Sequence, residues 1–253
     1  MGVIVGIVIS LILILGGNFL EGGHAGGLLA LPSAMIVIGG TIGCVVVQYP
    51  LPTIKAAVKA CVACFKKPEI DPAKIVEEIV DYANRARRDG ILALEKVSES
   101  ASDPFLRKAL MMAVDGVDSQ TLRETLEVAI GEEEHHGEDA AKVMEAFGGY
   151  APTIGIIGAV LGLIHVMSNL SDINAVGKGI AGAFVATIYG VAFANILCLP
   201  MGTRIKGMVR QKSTVRELTL TGVLAIQAGL NPKLVRERLV QFLGDHGDHE
   251  KKK

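Results

Sequence analysis

Four stretches of the chain are apolar almost without interruption: Val3 to Leu20, Leu28 to Val47, Ala151 to Leu170 and Ile180 to Gly202. Each is close to the roughly 20 residues that a helix needs to cross a hydrocarbon core. None alternates apolar and polar residues at every second position, as a lipid-facing barrel strand does. Residues 49 to 150 read differently, mixing helical apolar periodicity with dense charge. Asp71-Pro72, Asp103-Pro104 and Asn231-Pro232 each put a capping side chain before a proline at the first helical position, where the missing N–H costs nothing. They predict helices that start near 72, 104 and 232. Asp118 predicts another, running from Ser119 on toward the third apolar stretch, so that cytoplasmic movement would be coupled directly to the membrane. The expected fold class is an all-α integral membrane protein with four transmembrane helices and a large helical cytoplasmic segment between spans 2 and 3. Its parts are a transmembrane hairpin over 1–48, the cytoplasmic segment over 49–150, a second hairpin over 151–202, and a C-terminal helix and tail over 203–253.

Composition agrees with this pattern. Half of the 253 residues are hydrophobic, and the mean hydropathy of +0.45 is too high for an ordinary soluble domain. Val3 to Leu20 has no positive n-region and no small-residue cleavage site, so it is read as a mature span rather than a secretory leader. Basic residues set the topology: Lys55, Lys59, Lys66 and Lys67 follow the second span, and Arg204, Lys206, Arg210 and Lys212 follow the fourth. By the positive-inside rule both termini are cytoplasmic. The outer connections are then short, "EGGHAGG" at 21 to 27 and "SDINAVGKG" at 171 to 179. A net charge of -1 excludes the basic surplus of a nucleic-acid binder. Cys44, Cys61, Cys64 and Cys198 include one C-x-x-C, without the four ligands of a zinc site or the βαβ setting of a redox pair, and are read as reduced packing cysteines. The polar tail "GDHGDHEKKK" is read as disordered, without a metal site. No catalytic constellation, cofactor or metal is expected, and the chain is not read as an enzyme.

The spans carry two further signals. Gly182, Ala186, Gly190 and Ala194 recur at every fourth residue, and Gly155, Gly158 and Gly162 fall on neighbouring turns of the third span. Small residues on one face let helix backbones approach closely in lipid. The second signal is electrostatic: the four stretches contain no Asp, Glu, Lys or Arg, although an intramembrane ionisable residue is the usual mark of an ion or proton site. His165 lies ~21 Å along the third span, near its outer end. What remains is uncharged: Thr187, Asn195, Ser10 and Gln48. If ions move here, a partner supplies the carboxylate and this chain supplies the wall.

In the charged segment, "ARRDGILALEKV" places Arg87 and Glu95 eight positions apart around Gly90. On an unbroken helix they would be about 80° apart and ~12 Å along the axis, which also describes an ordinary solvated face. That Arg-x-x-Gly-x-x-x-x-Glu pattern, with "ALMMAVDGVDSQTLRETLEVAI" at 109 to 130, "APTIGIIGAVLGLIHVMSNL" at 151 to 170 and "ATIYGVAFANILCLP" at 186 to 200, resembles the flagellar motor stator A subunit, the MotA/PomA family. The resemblance covers essentially the whole chain. It implies a pentamer of A subunits around a dimer of a B subunit of MotB/PomB type, in the bacterial cytoplasmic (inner) membrane. The B subunit's transmembrane Asp accepts the ion and its periplasmic domain grips peptidoglycan. The resemblance further implies that Arg87 and Glu95 face charged residues of the rotor protein FliG, the spacing from Gly90 selecting Arg87 over Arg88. Pro152 and Pro200 match the family's two functional prolines, bends where ion occupancy changes cytoplasmic shape. Thr187 matches the threonine of the ion path. Where sodium-driven members carry a Thr and an Asp, this chain has Ala159 and Ala30, which favours H⁺ over Na⁺ as the permeating ion. Two other readings are an ExbB/TolQ-type energiser, whose three spans count against it, and a non-conducting membrane scaffold.

Overall fold

Ten helices can be followed in the computed structural model, which describes residues 2–66, 71–168, 170 and 173–243. They are α1 (Gly2–Leu20), α2 (Leu31–Gln48), α3 (Leu51–Ala63), α4 (Pro72–Asp89), α5 (Leu94–Ser98), α6 (Pro104–Val114), α7 (Ser119–Met167), α8 (Ile173–Ala192), α9 (Leu199–Gln227) and α10 (Pro232–Val240). Among the described residues there is no strand. Four helical runs are long and apolar enough to cross a membrane: α1, α2, α7, and the run from Val176 through α8 and α9.

The helix ends follow local chemistry. The carboxylates of Asp71, Asp103 and Asp118 and the amide oxygen of Asn231 accept backbone N–H bonds from the turn that follows each of them. These starts agree with the sequence. Two limits differ. Leu28 closes a 3₁₀ turn, Ala25–Leu28, and helix begins only at Leu31, with Pro32 in its first turn. The connection expected over 171 to 179 is helical from Ile173, because helix hydrogen bonds do not stop where hydrocarbon does. Lys67 and the histidines of the tail lie outside the described residues.

Packing divides the chain into two compact units, and each has its own logic. The first comprises Met1–Lys66 and Gly137–Gly207. It reaches beyond the limits that hydropathy drew at 48 and 150, because α3 and the stretch of α7 before Ala151 pack with the end of α2. Val45, Ala57, Ala140 and Val143 form one buried cluster, and Lys206 pairs with Glu145 at 2.6 Å. Within this unit α7 and α8 meet through backbone. A Cβ on Gly155 would stand 3.0 Å from the Ala186 carbonyl oxygen, one on Gly158 3.0 Å from the Ala186 side chain and one on Gly162 3.2 Å from Ala183. A Cβ on Gly190 would overlap the Ala151 carbonyl. Gly182, by contrast, faces open space. The first span, α1, buries none of its residues.

The second unit comprises Lys67–His136 and Met208–Lys253. Its core joins Ile79 of α4, Leu106 and Leu110 of α6, Leu122 and Leu126 of α7, Leu218 of α9 and Leu239 of α10. Arg216 is buried in it and bonds Asp103, which also caps α6. The guanidinium lies 4.7 Å from the centroid of the Phe105 ring, and its Nε donates to Glu133 at 3.0 Å. Lys212 completes the cluster on Glu133. Burial alone would raise the Glu133 carboxyl, but the hydrogen bonds from Lys212 and Arg216 outweigh it and hold the group below its ordinary range.

These contacts give three expected outcomes. Gly190→Ala must displace backbone, an overpacking cost of about 1–3 kcal/mol, so its thermal midpoint in detergent should fall while that of Gly182→Ala stays near wild type. Equal midpoints would refute the close approach. Arg216→Ala leaves Asp103 buried without its partner and should cost about 3–5 kcal/mol. The folded pKa of Glu133 lies below its unfolded value, so its stabilisation is complete above the ordinary carboxylate range and is lost as pH falls through the lowered value. Acidification below about 4 should therefore destabilise wild type more than Glu133→Gln, read as the midpoint of unfolding against pH.

Candidate functional site

Within the first unit, Thr187, one of the uncharged polar residues of the spans, sits at the seam between α7 and α8. Thr187 follows Ala186, the residue that Gly155 and Gly158 meet, and its Cα would be 3.4 Å from a Cβ on Gly155. Its side chain is half-buried, and Oγ1 donates to the Ala183 carbonyl at 3.4 Å. That bond back into its own helix is long, and the hydroxyl oxygen keeps its lone pairs for another group. Ala159 follows Gly158 on the facing helix and is also half-buried. The structure thus brings Thr187 and Ala159 to the borders of one seam. His165 is exposed in the last turn of α7. Ser10 bonds back to the Gly6 carbonyl, and Gln48 donates to the neighbouring Tyr49 hydroxyl.

Both prolines lie inside helix rather than at its ends. Pro152 is within α7, and its Cα would be 3.1 Å from a Cβ on Gly190. Pro200 enters α9 directly after a π-helical turn, Phe193–Cys198, in which the Leu199 N–H reaches back to the Ala194 carbonyl. Proline cannot donate to the residue four positions earlier, and the wide turn takes up the irregularity just upstream. Asn195 uses its side-chain amide on the Val191 carbonyl at 3.0 Å. Facing this turn are two adjoining clefts against α1. One, of about 440 Å³, is lined by Ser10, Ile14, Asn195, Pro200 and Arg204. The other, of about 380 Å³, is apolar except for Thr187 and Asn195.

Tyr189 is a polar residue of the fourth span to which the sequence assigns no role. Its hydroxyl donates to the Leu28 carbonyl at 2.6 Å and accepts the Ala30 N–H at 3.3 Å, tying the start of α2 to α8. Ser33 Oγ adds a bond to the Gly182 carbonyl at 3.1 Å. The signal that could have found Tyr189 is a phenol inside an otherwise apolar run, since a buried hydroxyl needs a partner. Ala30 therefore occupies a hydrogen-bonded helix entrance.

Within the second unit, Arg87 and Glu95 do not share a helix. α4 ends at Asp89, and Gly90 takes a φ of +84° that only glycine adopts easily. Residues Ile91–Ala93 then form a 3₁₀ turn before Glu95 enters the first turn of α5. The unbroken helix that gave about 80° and ~12 Å is replaced by this corner. Both side chains are exposed, and neither makes an ion pair among the described residues. Arg88, their neighbour, is engaged with Asp89 at 2.9 Å. The corner is held from behind. Glu78 on α4 accepts the Ser102 N–H at 2.9 Å, its hydroxyl at 2.5 Å and the Tyr82 hydroxyl at 2.8 Å. Burial, helped by that bond to Glu78, raises the Tyr82 phenol.

Among the described residues no cluster of three or more His, Cys, Asp or Glu could hold a metal ion. Cys61 and Cys64 carry free thiols. Burial, with a smaller push from the Cys64 charge, raises Cys61 to about 11.

Comparison with known proteins gives these features a family. Residues 97–218 match the model of the MotA/TolQ/ExbB proton channel family, and residues 4–88 match that of the motility protein A N-terminal region. Motility protein A of Treponema phagedenis is 33% identical over 94% of this chain and 92% of its own. Motility protein A of Bacillus subtilis is 31% identical over 95% and 89%. In the solved structure of C. jejuni MotAB, a chain 31% identical superposes with a TM-score of 0.93, covering 98% of this chain and 97% of that one. The chain belongs to the motility protein A (MotA/PomA) family of flagellar motor stator subunits.

Proposed function

We propose that the chain is the A subunit of an ion-driven stator, which conducts ions only together with a B subunit and passes the resulting movement to the rotor. The observation that carries this reading is that the four apolar stretches contain no Asp, Glu, Lys or Arg, with His165 near the outer end of the third, while Thr187 borders a close helix seam. Such a wall can line a path but cannot itself bind and release a proton. The solved relatives that include both A and B components supply the kind of partner that would bring the carboxylate. In this reading five copies surround the B subunits in the bacterial inner membrane, with both termini cytoplasmic. Pro152 and Pro200 are the bends through which ion occupancy alters the chain's shape. Arg87 and Glu95 meet charged residues of FliG.

The ion is H⁺ in this proposal, with Na⁺ as the alternative. Ala159 offers no oxygen, and at Ala30 the backbone N–H is taken by Tyr189. A proton needs only a hydrogen-bonded path, whereas sodium needs a coordination shell. An ExbB/TolQ-type energiser fits the 97–218 match equally well, but the match over 4–88 is specific to motility protein A. No catalysis, cofactor or nucleic-acid role enters this reading.

Reconstituted alone, the chain should show no ion flux; with an activated B subunit it should conduct, and Thr187→Ala should reduce the current. Robust flux from the chain alone would refute the proposal. Swimming driven by the pair should survive sodium depletion and collapse with a protonophore, whereas speed that follows external sodium would assign Na⁺. For the rotor contact, exposed pairs are individually worth about 0 to 1 kcal/mol. Single alanine changes at Arg87 or Glu95 should therefore impair motility only in part. Arg87→Glu and Glu95→Lys should keep flux but lose recruitment to the motor, with partial rescue by matching reversals on FliG. If both reversals swim normally, or flux fails with motility, the two residues are not a rotor contact.

A further inference from the structure

α3 does not behave like a helix of an aqueous segment. Its 13 residues start at Leu51, with only an extended Tyr49-Pro50 between it and the end of α2 at Gln48. Ala57, near its middle, is buried in the same cluster as Val45, which lies three residues inside the end of α2. Ala140 and Val143 of α7 complete that cluster, so this face of α3 is covered by protein. α3 thus shares its buried side with the last turn of span 2, which carries Val45.

The opposite side of α3 is apolar and uncovered. Leu51, Val58 and Val62 are 59%, 57% and 54% exposed. At about 100° per residue they fall, with Lys55 and Lys59, within a single sector about 100° wide, and the lysines lie along one edge of the apolar stripe. Lys66 follows on the next turn. From Tyr49 to Lys66 there is no acidic residue, and none of the three lysines is ion-paired among the described residues. Arg204 of α9, also exposed, stands close enough to Cys64 for its charge to act on that thiol. An apolar stripe edged only by positive charge, continuous with a span, matches the boundary between acyl chains and anionic headgroups.

We propose that α3 is an interfacial helix that inserts Leu51, Val58 and Val62 at the acyl boundary and binds anionic phospholipid through Lys55, Lys59 and Lys66. This removes α3 from the aqueous segment 49–150 and gives the subunit a lipid-recognition surface. The proposal goes beyond the stator reading and does not depend on the rotor or ion assignments.

The chain contains no tryptophan, so a Val58→Trp substitution adds a probe that the wild-type complex lacks at this position. The full complex with its B subunit is reconstituted in nanodiscs of phosphatidylcholine containing a minor fraction of either brominated phosphatidylglycerol or brominated phosphatidylcholine. The added fluorescence should be quenched several-fold more strongly by the brominated phosphatidylglycerol and should be protected from aqueous acrylamide. Replacing Lys55, Lys59 and Lys66 by Gln should lower the preference, by up to about five-fold per lysine, until both lipids quench equally. Quenching by acrylamide alone would place α3 in water. Protection from both quenchers would mean that another protein chain covers it. Equal quenching by the two lipids with the lysines intact would refute headgroup recognition. Val62→Trp serves as a second probe if the first variant fails to assemble.

Discussion

Gly190 lies against the carbonyl of Ala151, and the membrane half of the molecule depends on that approach. In lipid there is no hydrophobic gain in pressing one apolar helix on another, so association rests on close van der Waals contact. Gly155, Gly158 and Gly162 on α7 and Ala183, Ala186 and Gly190 on α8 provide it by removing side chains from the contact. The same economy leaves Thr187 and Ala159 at the borders of the seam. Any larger residue there would both open the helix pair and change the lining.

The prolines are intelligible within the same constraint. Pro152 lies at the tightest point of the seam, where the α7 backbone is held by its neighbour. Pro200 follows a π-helical turn whose backbone bonds are already displaced by one residue. Each proline thus sits where helical hydrogen bonding is weakened yet the chain stays helical. Such a site can change its bend without unwinding, since the bond lost to proline is absent in every conformation.

Much of this fold was legible in the sequence. The apolar runs marked the spans, the Asp-Pro and Asn-Pro pairs marked helix starts, and the glycine spacing marked the seam, because each is a local property of a few adjacent residues. What sequence did not show depends on distant partners. Gly90 was visible as a landmark between Arg87 and Glu95, but not as a corner, since a glycine in a helical pattern can either be tolerated within the helix or terminate it. The Tyr189 bond to Leu28 spans 161 positions, and Asp103 to Arg216 spans 113. Asp103 could be read as a cap from its neighbours, while its buried partner could not.

The Asp103–Arg216 bond also has a bearing on how the chain is made. The second unit is assembled from two pieces of sequence, with the third and fourth spans encoded between them. Asp103 leaves the ribosome 113 residues before Arg216, an interval of roughly 6 to 20 s at ordinary elongation rates. During that time the first piece has a capped α6 and part of its apolar core, but lacks α9, α10 and the guanidinium that neutralises its buried carboxylate. Closure of this unit is therefore a late event in biosynthesis, possible only after both spans of the second hairpin have been synthesised.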